Sequence, residues 1–296
     1  MQAGKRQDSL HRFLFEQQPV RGELVHLDAS WQAALERCDY PAPVRSLLGE
    51  AMAAAVLMAS TLKFEGRMTL QIQGDGPVSL LVVQCDSDLV LRGTAKFRED
   101  IPTDSGFHEL LGEGGHMAIT IDSVGSSERY QGLVPLEGES IATCLEDYFA
   151  RSEQLPTRLW LAADGEVAAG LLLQVVPEQG AEDDDTWNRA TTLADTVTGD
   201  ELCRLPVRDL LHRLYHEESL RLFEAHTVAF RCSCSREKTA DVLRRLGRGE
   251  VDDILEEQGR IEVGCEFCGR KYRYDQVDAE DLFTDPAQSQ SSTRRH

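Results

Sequence analysis

Polar and apolar residues alternate over several short stretches between residues 68 and 176. Met68, Leu70 and Ile72 are separated by polar residues. The turn Gly74–Pro77 and a second apolar stretch at 78–83 follow, and this combination predicts a β-hairpin. Because strands joined by short turns pair antiparallel, we expect a mainly antiparallel sheet. Further strands are predicted at 89–95, 117–121, 130–136, 157–162 and 167–176.

Helical spacing replaces alternation in three stretches of the same region. Residues 28–37, 44–63 and 141–150 are predicted helices, and Asp28 and Ser30 are candidate caps for the first. In the long middle helix, alanine fills the gaps between regularly spaced apolar residues, namely Leu47, Leu48, Met52, Val56, Leu57 and Leu62. Together with the strands, these helices predict an α+β fold for residues 1–178, with helices set apart from antiparallel sheet.

The pattern changes at Pro177, which opens a stretch containing the acidic run Glu182–Asp185. From Asp185 to Phe223, apolar residues at helical spacing predict two or three short helices. Isolated helices shorter than about 12 residues are marginal in water, so we expect these to stay folded only while docked on another element. The predicted domains are a core at 1–178, a helical linker at 179–230, a small cysteine-containing domain at 231–285 and a disordered tail at 286–296.

Composition and charge indicate an acidic globular protein. The chain has 296 residues, with 31 Lys plus Arg against 51 Asp plus Glu, a net charge of −20. Residues 1–16 do not resemble a signal peptide, and the longest apolar run, Ala51–Ala59, is shorter than the roughly 18 residues of a membrane helix. We therefore expect a cytoplasmic protein without a membrane partner, whose cysteines are kept reduced.

Four of the eight cysteines lie close together in the last quarter of the chain: Cys232, Cys234, Cys265 and Cys268. Two close pairs separated by a long loop are typical of a tetrahedral metal site. Four thiolates favour zinc, or iron with sulfur, over hard cations. Since no ligand position is left for a substrate, we predict one structural zinc ion per chain and no catalytic residues.

The Cys-x-Cys half of this cluster allows two interpretations. Cys232 and Cys234 can approach disulfide distance only with a strained backbone, and strained disulfides are easily reduced again. A site that loses zinc, forms disulfides and recovers would be a reversible oxidant sensor, whereas the simpler alternative is a permanent structural zinc ribbon. Structural zinc contributes about 10 to 16 kcal/mol, so its loss should unfold residues 231–283.

Other functional classes receive less support. A zinc ribbon that binds RNA is the main alternative, but the net charge of −20 opposes phosphate binding, and residues 231–273 carry only ten basic residues against nine acidic ones. A thiol oxidoreductase would place Cys265 and Cys268 at the start of a helix, whereas here Gly269 and a predicted strand follow.

His212 and His216 are spaced to share a metal but are better explained as a solvated helical face. The lone cysteines are expected to pack as core or half-buried residues, namely Cys38, Cys85, Cys144 and Cys203.

Several segments of the chain closely resemble the heat-shock protein 33 family of bacterial redox-regulated holdase chaperones. They are Gly74–Pro77, Leu214–Glu218, Val228–Glu237, Ile261–Cys268, Tyr272–Asp275 and Asp281–Phe283. The resemblance implies a substrate-binding core, a metastable linker and a C-terminal redox switch. It also implies that Cys232, Cys234, Cys265 and Cys268 hold zinc when reduced.

Oxidation has further consequences by the same resemblance. Cys232 would pair with Cys234, Cys265 would pair with Cys268, and the metal would be released. The linker would then unfold, and the chain would bind unfolding client proteins without ATP, as a monomer or a homodimer. This implies a chaperone rather than an enzyme, with no nucleic-acid partner.

Overall fold

The computed structural model describes residues 8–16, 18–36, 38–125, 129–176 and 184–283. The chain forms two compact units, Met1–Arg231 and Cys232–His296, called here the first and second unit. Both mix helices with antiparallel strands, which confirms the predicted α+β class. The tail at 286–296 and Glu182 and Asp183 of the acidic run lie outside the described residues.

The first unit contains nine long strands, three short ones and seven α-helices among its described residues. In chain order they are β1 (Ser9–Phe15), β2 (Val20–Leu27), α1 (Ala29–Leu35), α2 (Ala42–Thr61), β3 (Gly66–Gln73), β4 (Val78–Asp86), β5 (Val90–Phe97), α3 (Phe107–Leu111), β6 (His116–Ser123), β7 (Arg129–Pro135), α4 (Ile141–Tyr148), a π-helical turn (Phe149–Glu153), β8 (Thr157–Ala163), β9 (Ala168–Val175), α5 (Asp184–Ala194), α6 (Gly199–Arg204), α7 (Val207–Tyr215), β10 (Leu220–Leu222), β11 (His226–Thr227) and β12 (Ala229–Phe230). The predicted hairpin, helices and later strands of the core are all present.

The strands form two sheets. Sheet A has the order β10-β1-β2-β9-β8, with β11 also paired to β1, and all its pairs are antiparallel. Sheet B has the order β12-β5-β4-β3-β6-β7 and is antiparallel except for the short pairing of β12 with β5. The predicted hairpin therefore supplies two central strands of sheet B.

Helix α2 lies between the two sheets. It contacts β2, β8 and β9 on one side and β3, β4 and β5 on the other. Residues 51–58 are completely buried, which explains why alanine and apolar residues surround this helix on all faces. By length and composition α2 could cross a membrane, but most of it is buried inside the fold. Gly170 on β9 permits this packing, because a Cβ there would lie 2.9 Å from the Leu57 side chain.

The first two strands were not predicted because sheet A is covered on both faces. Leu10 of β1 joins the α2 core, whereas Phe13 and Phe15 pack on the opposite face. A strand buried on both faces does not show a clean alternation of polar and apolar residues. Asp28 occupies the N-cap position of α1, one of the two predicted, but its side chain makes no cap hydrogen bond. Asp8 instead accepts hydrogen bonds from the amides of Asp28 (2.6 Å) and Ser30 (2.7 Å).

Helices α5, α6 and α7 cover the outer face of sheet A. Their buried side chains form one cluster with those of β1, β2 and β9, namely Phe13, Phe15, Val20, Leu24, Ala169, Leu171, Leu173, Ala190, Ala194, Leu202, Cys203, Leu210, Leu211, Leu214 and Tyr215. Two or three short helices were predicted and three are present, but the helical prediction to Phe223 was wrong. Leu220 and Leu222 flank Arg221 in strand alternation, and this segment pairs with β1 as β10.

The second unit is small. It contains α8 (Arg236–Leu246), α9 (Arg248–Gln258), β13 (Ile261–Gly264), β14 (Lys271–Tyr274) and α10 (Gln276–Phe283), with β13 and β14 forming an antiparallel hairpin. Among its described residues, up to Phe283, the core contains seven buried side chains, namely Ala240, Leu243, Val251, Ile261, Tyr272, Tyr274 and Ala279. A core of this size supplies little stabilisation, so a domain of this kind commonly depends on a metal or a disulfide.

Candidate metal centre

Two local structures present the four clustered cysteines within the second unit. Cys232 and Cys234 precede α8, whose N-cap Ser235 accepts a hydrogen bond from the amide of Lys238. Cys265 and Cys268 lie in the turn between β13 and β14. In that turn the Gly269 amide donates to the Cys265 carbonyl at 2.8 Å, and Gly269 has a φ of +64°, a left-handed conformation that favours glycine.

The four sulfur atoms converge on one point. Cys232 Sγ lies 3.5 Å from Cys265 Sγ, and Cys234 Sγ lies 3.4 Å from Cys268 Sγ. All four lie within 4.8 Å of one another. A disulfide would need about 2.05 Å, whereas sulfurs held about 2.3 Å from a tetrahedral ion lie about 3.8 Å apart. The arrangement therefore fits a four-thiolate metal site.

No other group of three or more potential metal ligands is close enough to hold an ion within the described ranges. His212 and His216 lie on and just after α7 with ring centroids 5.9 Å apart, and both are exposed. They do not belong to a metal-binding group, in agreement with their interpretation as a solvated face.

The thiols differ in how easily they ionise. Burial opposes ionisation of Cys232, but hydrogen bonds from the Cys234 amide and the neighbouring thiols outweigh it and lower its pKa to about 7. Burial raises the pKa of Cys265, and it raises that of Cys268 to about 12. A divalent ion at the centre would favour the thiolate form of all four, because its charge is the largest in the site.

Tyr272 of β14 adds a side-chain contact that the sequence motif did not identify. Its hydroxyl donates to Cys234 Sγ at 3.1 Å. This hydrogen bond, followed by burial, raises the pKa of Tyr272, so the hydroxyl remains protonated as a donor. The nearby Tyr272 oxygen raises the pKa of the Arg270 guanidinium. The alternation of Tyr272 with Tyr274 after the Cys-x-x-Cys-Gly turn is the sequence feature that could have revealed it.

The other four cysteines lie in the first unit, away from this cluster along the chain. Cys85, Cys144 and Cys203 are buried, as predicted, and burial raises the pKa of each of them, that of Cys203 to about 11. Cys38 is exposed, which corrects the prediction of a core or half-buried residue. It lies between the end of α1 and Pro41, which precedes α2.

Comparison with known proteins agrees with this architecture. A family model described as Hsp33 protein matches residues 8–275. The chain belongs to the Hsp33 family. Within that family it is 50% identical over 279 residues to the 33 kDa chaperonin of Methylobacillus flagellatus, covering 94% of each chain. It is also 50% identical over 289 residues to the 33 kDa chaperonin of Nitrosococcus oceani, covering 98% of this chain and 99% of the relative.

A solved member of the Hsp33 family has the same fold. The crystal structure of the 33 kDa chaperonin (heat shock protein 33 homologue) of Thermotoga maritima matches with a TM-score of 0.79 at 24% sequence identity. The match covers 94% of this chain and 98% of the Thermotoga chain. At that identity the likeness establishes the fold, and the Hsp33 assignment rests on the closer sequence relatives.

Proposed function

We propose that this protein is a redox-regulated, ATP-independent holdase chaperone of the cytoplasm. The observation that carries the proposal is the convergence of four thiols within 4.8 Å in a unit whose described part has a core of seven buried side chains. The names of the relatives, 33 kDa chaperonin, support a chaperone role. The proposed activity is the binding of unfolded clients rather than catalytic turnover.

In the reduced state, Cys232, Cys234, Cys265 and Cys268 would hold one zinc ion. The bound ion supplies a cross-link that joins the chain before α8 to the turn between β13 and β14. Its contribution of about 10 to 16 kcal/mol exceeds what the small core of the second unit can provide. Loss of the metal would therefore unfold this unit.

Oxidation would convert the four thiols into two disulfides, Cys232 with Cys234 and Cys265 with Cys268. The apolar face of α5, α6 and α7 and the face of sheet A beneath it would supply the client-binding surface once the linker is released. These faces include large residues such as Phe13, Phe15 and Leu210, which are buried while the linker is docked. In the oxidised state two copies of the chain would form a homodimer, and the second copy would provide additional client-binding surface.

Light scattering from heat-unfolding citrate synthase tests the proposal. The zinc-loaded reduced protein should leave aggregation unchanged, and the same protein after hypochlorous acid should suppress it without ATP. The variant with all four clustered cysteines changed to Ser should lose the response to oxidant, whereas Cys38→Ser, which removes an exposed thiol of the first unit, should keep it. A quadruple variant that responds like wild type would rule out the sensor role of the cluster.

A further inference from the structure

A cavity of about 680 Å³ lies in the first unit, beside the C-terminal end of α2. Its lining comes from β1 and β2, from residues 59–64 at the end of α2, and from residues 87–89 between β4 and β5. Phe223, His226 and Thr227, near the end of the predicted linker, also line it. Small-molecule sites commonly enclose about 300 to 1,000 Å³. The cavity therefore has the volume of a metabolite site, and part of its wall belongs to the linker.

Cationic side chains line this cavity, although the chain as a whole has a net charge of −20. Arg12, Arg21 and Lys63 line it together with two acidic residues, Glu23 and Asp88. Lys63 is exposed and forms no ion pair with any residue that the structure describes. An ammonium group without a protein partner at the edge of a cavity favours an anionic ligand, because charge-assisted hydrogen bonds to phosphate or carboxylate are strong.

The two arginines are held by other contacts. Arg12 Nη2 donates to Ser60 Oγ at 2.8 Å and to the Ser60 carbonyl at 3.2 Å, so its charge lies at the negative end of α2. Arg21 Nε donates to Gln174 Oε1 at 3.2 Å. Both arginines therefore contribute positive charge at fixed positions, and Lys63 is the cation left to pair with a ligand.

Glu23 adds a hydrogen-bond acceptor to the same cavity. Its side chain is 2% exposed, and its Oε1 lies 3.5 Å from Arg12 Nε. Its Oε2 is buried and has no hydrogen-bond partner within the described ranges. Leaving a buried polar atom unpaired is costly, and a ligand hydroxyl that donates to Glu23 would remove this cost. The cavity is therefore suited to a ligand that has both an anionic group and a hydroxyl group.

We propose that this cavity binds a small organic anion that carries hydroxyl groups, such as a sugar phosphate or a sugar acid. The anionic group pairs with Lys63, within the positive potential of Arg12 and Arg21. A hydroxyl group donates to Glu23, as ribose hydroxyls donate to acidic side chains in dinucleotide-binding folds. Binding at this site does not depend on the proposed redox switch.

A ligand in this cavity contacts both the core strands and the end of the linker. The Phe223 amide donates to the Arg12 carbonyl at 2.9 Å, which ties this part of the linker to β1. A ligand that binds only while residues 223–227 are in place lowers the population of the opened segment by the factor 1 + [L]/Kd, which is about a hundredfold when the ligand concentration is about 100 times Kd. The ligand thus opposes release of the linker, and this consequence alone rests on the proposed function.

Isothermal titration calorimetry of the full-length, reduced, zinc-loaded protein tests the site. The probes are ribose 5-phosphate and gluconate, with inorganic phosphate and ribose as the separate parts of the first. At least one of the two hydroxylated anions should bind with a Kd of about 1 mM or tighter. Inorganic phosphate and ribose should each bind about tenfold or more weakly, because each makes only one of the two contacts.

Two variants remove the two contacts. Lys63→Ala and Glu23→Gln should each weaken binding of the hydroxylated anion by about tenfold or more, since a hydrogen bond to a charged group contributes about that factor. Lys96→Ala is the matched control, because Lys96 is an exposed lysine on β5 that does not line the cavity, and it should bind the anion like wild type. Since Lys63 is exposed, its truncation leaves the fold intact and decides the test even if Glu23→Gln fails to fold.

Hydrogen exchange followed by mass spectrometry tests the contact with the linker. With the bound anion at about 100 times its Kd, the amides of residues 220–227 should exchange up to about a hundredfold more slowly. The amides of β7 should exchange at an unchanged rate, because β7 does not line the cavity. Binding without slower exchange in residues 220–227 would refute the contact with the linker.

Failure of both hydroxylated anions to bind overturns the site. Equally tight binding of inorganic phosphate also overturns it, since that would indicate an adventitious ion only. Unchanged affinity in Lys63→Ala would place the bound anion elsewhere, with the same consequence. None of these measurements uses an oxidant, so failure of the site and failure of the proposed redox switch are distinguishable.

Discussion

Helices α5, α6 and α7, called here the linker helices, should stay docked on sheet A through buried side chains such as Leu210. The variant Leu210→Ala tests this directly. Leu210 is completely buried in the cluster between α7 and sheet A. Truncation of a buried leucine to alanine costs about 2.7 to 5 kcal/mol, because transfer energy is lost and a cavity remains. Each 1.4 kcal/mol is a factor of ten, so the ratio of docked to released linker should fall about a hundredfold or more.

Limited trypsin digestion of the reduced, zinc-loaded protein measures this ratio. Arg204, Arg208 and Arg213 lie within the linker helices, so cleavage there reports their opening. When opening and closing are fast, the cleavage rate follows the population of the open form, and it should rise about a hundredfold in Leu210→Ala. The released variant should also suppress citrate synthase aggregation without oxidant.

Leu133→Ala is the matched control, because Leu133 is 67% exposed on β7 and its truncation should change stability by less than about 0.5 kcal/mol. The reasoning would be refuted if Leu210→Ala were cleaved in the linker at the wild-type rate. It would also be refuted if new cleavage sites appeared throughout sheets A and B together with those in the linker, since the linker and core would then unfold as one cooperative unit.

Three smaller perturbations test other contacts. Arg204→Ala removes ion pairs to Asp164 (2.6 Å) and Glu166 (2.5 Å) and also one trypsin site, so cleavage is compared at Arg208 and Arg213. Cleavage there should rise a few-fold at low salt but little at 1 M salt, since exposed pairs are worth about 1 kcal/mol or less. Gly269→Ala forces alanine into a left-handed conformation at a cost of about 1 to 2 kcal/mol, so chelator competition should show zinc affinity reduced about fivefold to thirtyfold. Burial raises the pKa of Glu50 to about 7. The free energy of unfolding of wild type should therefore fall by roughly 3 kcal/mol as pH rises from about 4.5 to 7. Thermal melts of Glu50→Gln over the same pH range should not show this fall.

The sequence predicts best where the local pattern is strong. The alternation in β3, the apolar stretch of β4 after a turn, and the alanine-rich apolar residues of α2 predicted these elements closely, and the spacing of the cysteines predicted their convergence. Strands β1 and β2 were missed because both of their faces are covered, one by α2 and the other by the linker helices. The short strand β10 was missed because its pairing partner, β1, lies some two hundred residues earlier in the chain.

Contacts made by single side chains across long sequence distances were also beyond prediction. Asp8, which precedes β1, caps α1 from a distant part of the sequence. The residues around Asp28 therefore give no sign of this contact. Tyr272 reaches Cys234 only because the β13–β14 hairpin folds back beside the chain that precedes α8. The motif identified the four sulfurs, but the side-chain hydrogen bond to one of them depends on tertiary packing.

The positions of the sulfurs constrain the order of events in the proposed switch. Two sulfur pairs join the two halves of the motif, Cys232 with Cys265 at 3.5 Å and Cys234 with Cys268 at 3.4 Å. The proposed disulfides instead join neighbours within each half, and a Cys-x-Cys disulfide needs a sharply bent backbone. In the proposed switch, the chain before α8 would therefore have to change its conformation before the Cys232–Cys234 disulfide could close. On this reasoning the metal would leave first, the small core would then unfold, and the local disulfides would keep it from refolding.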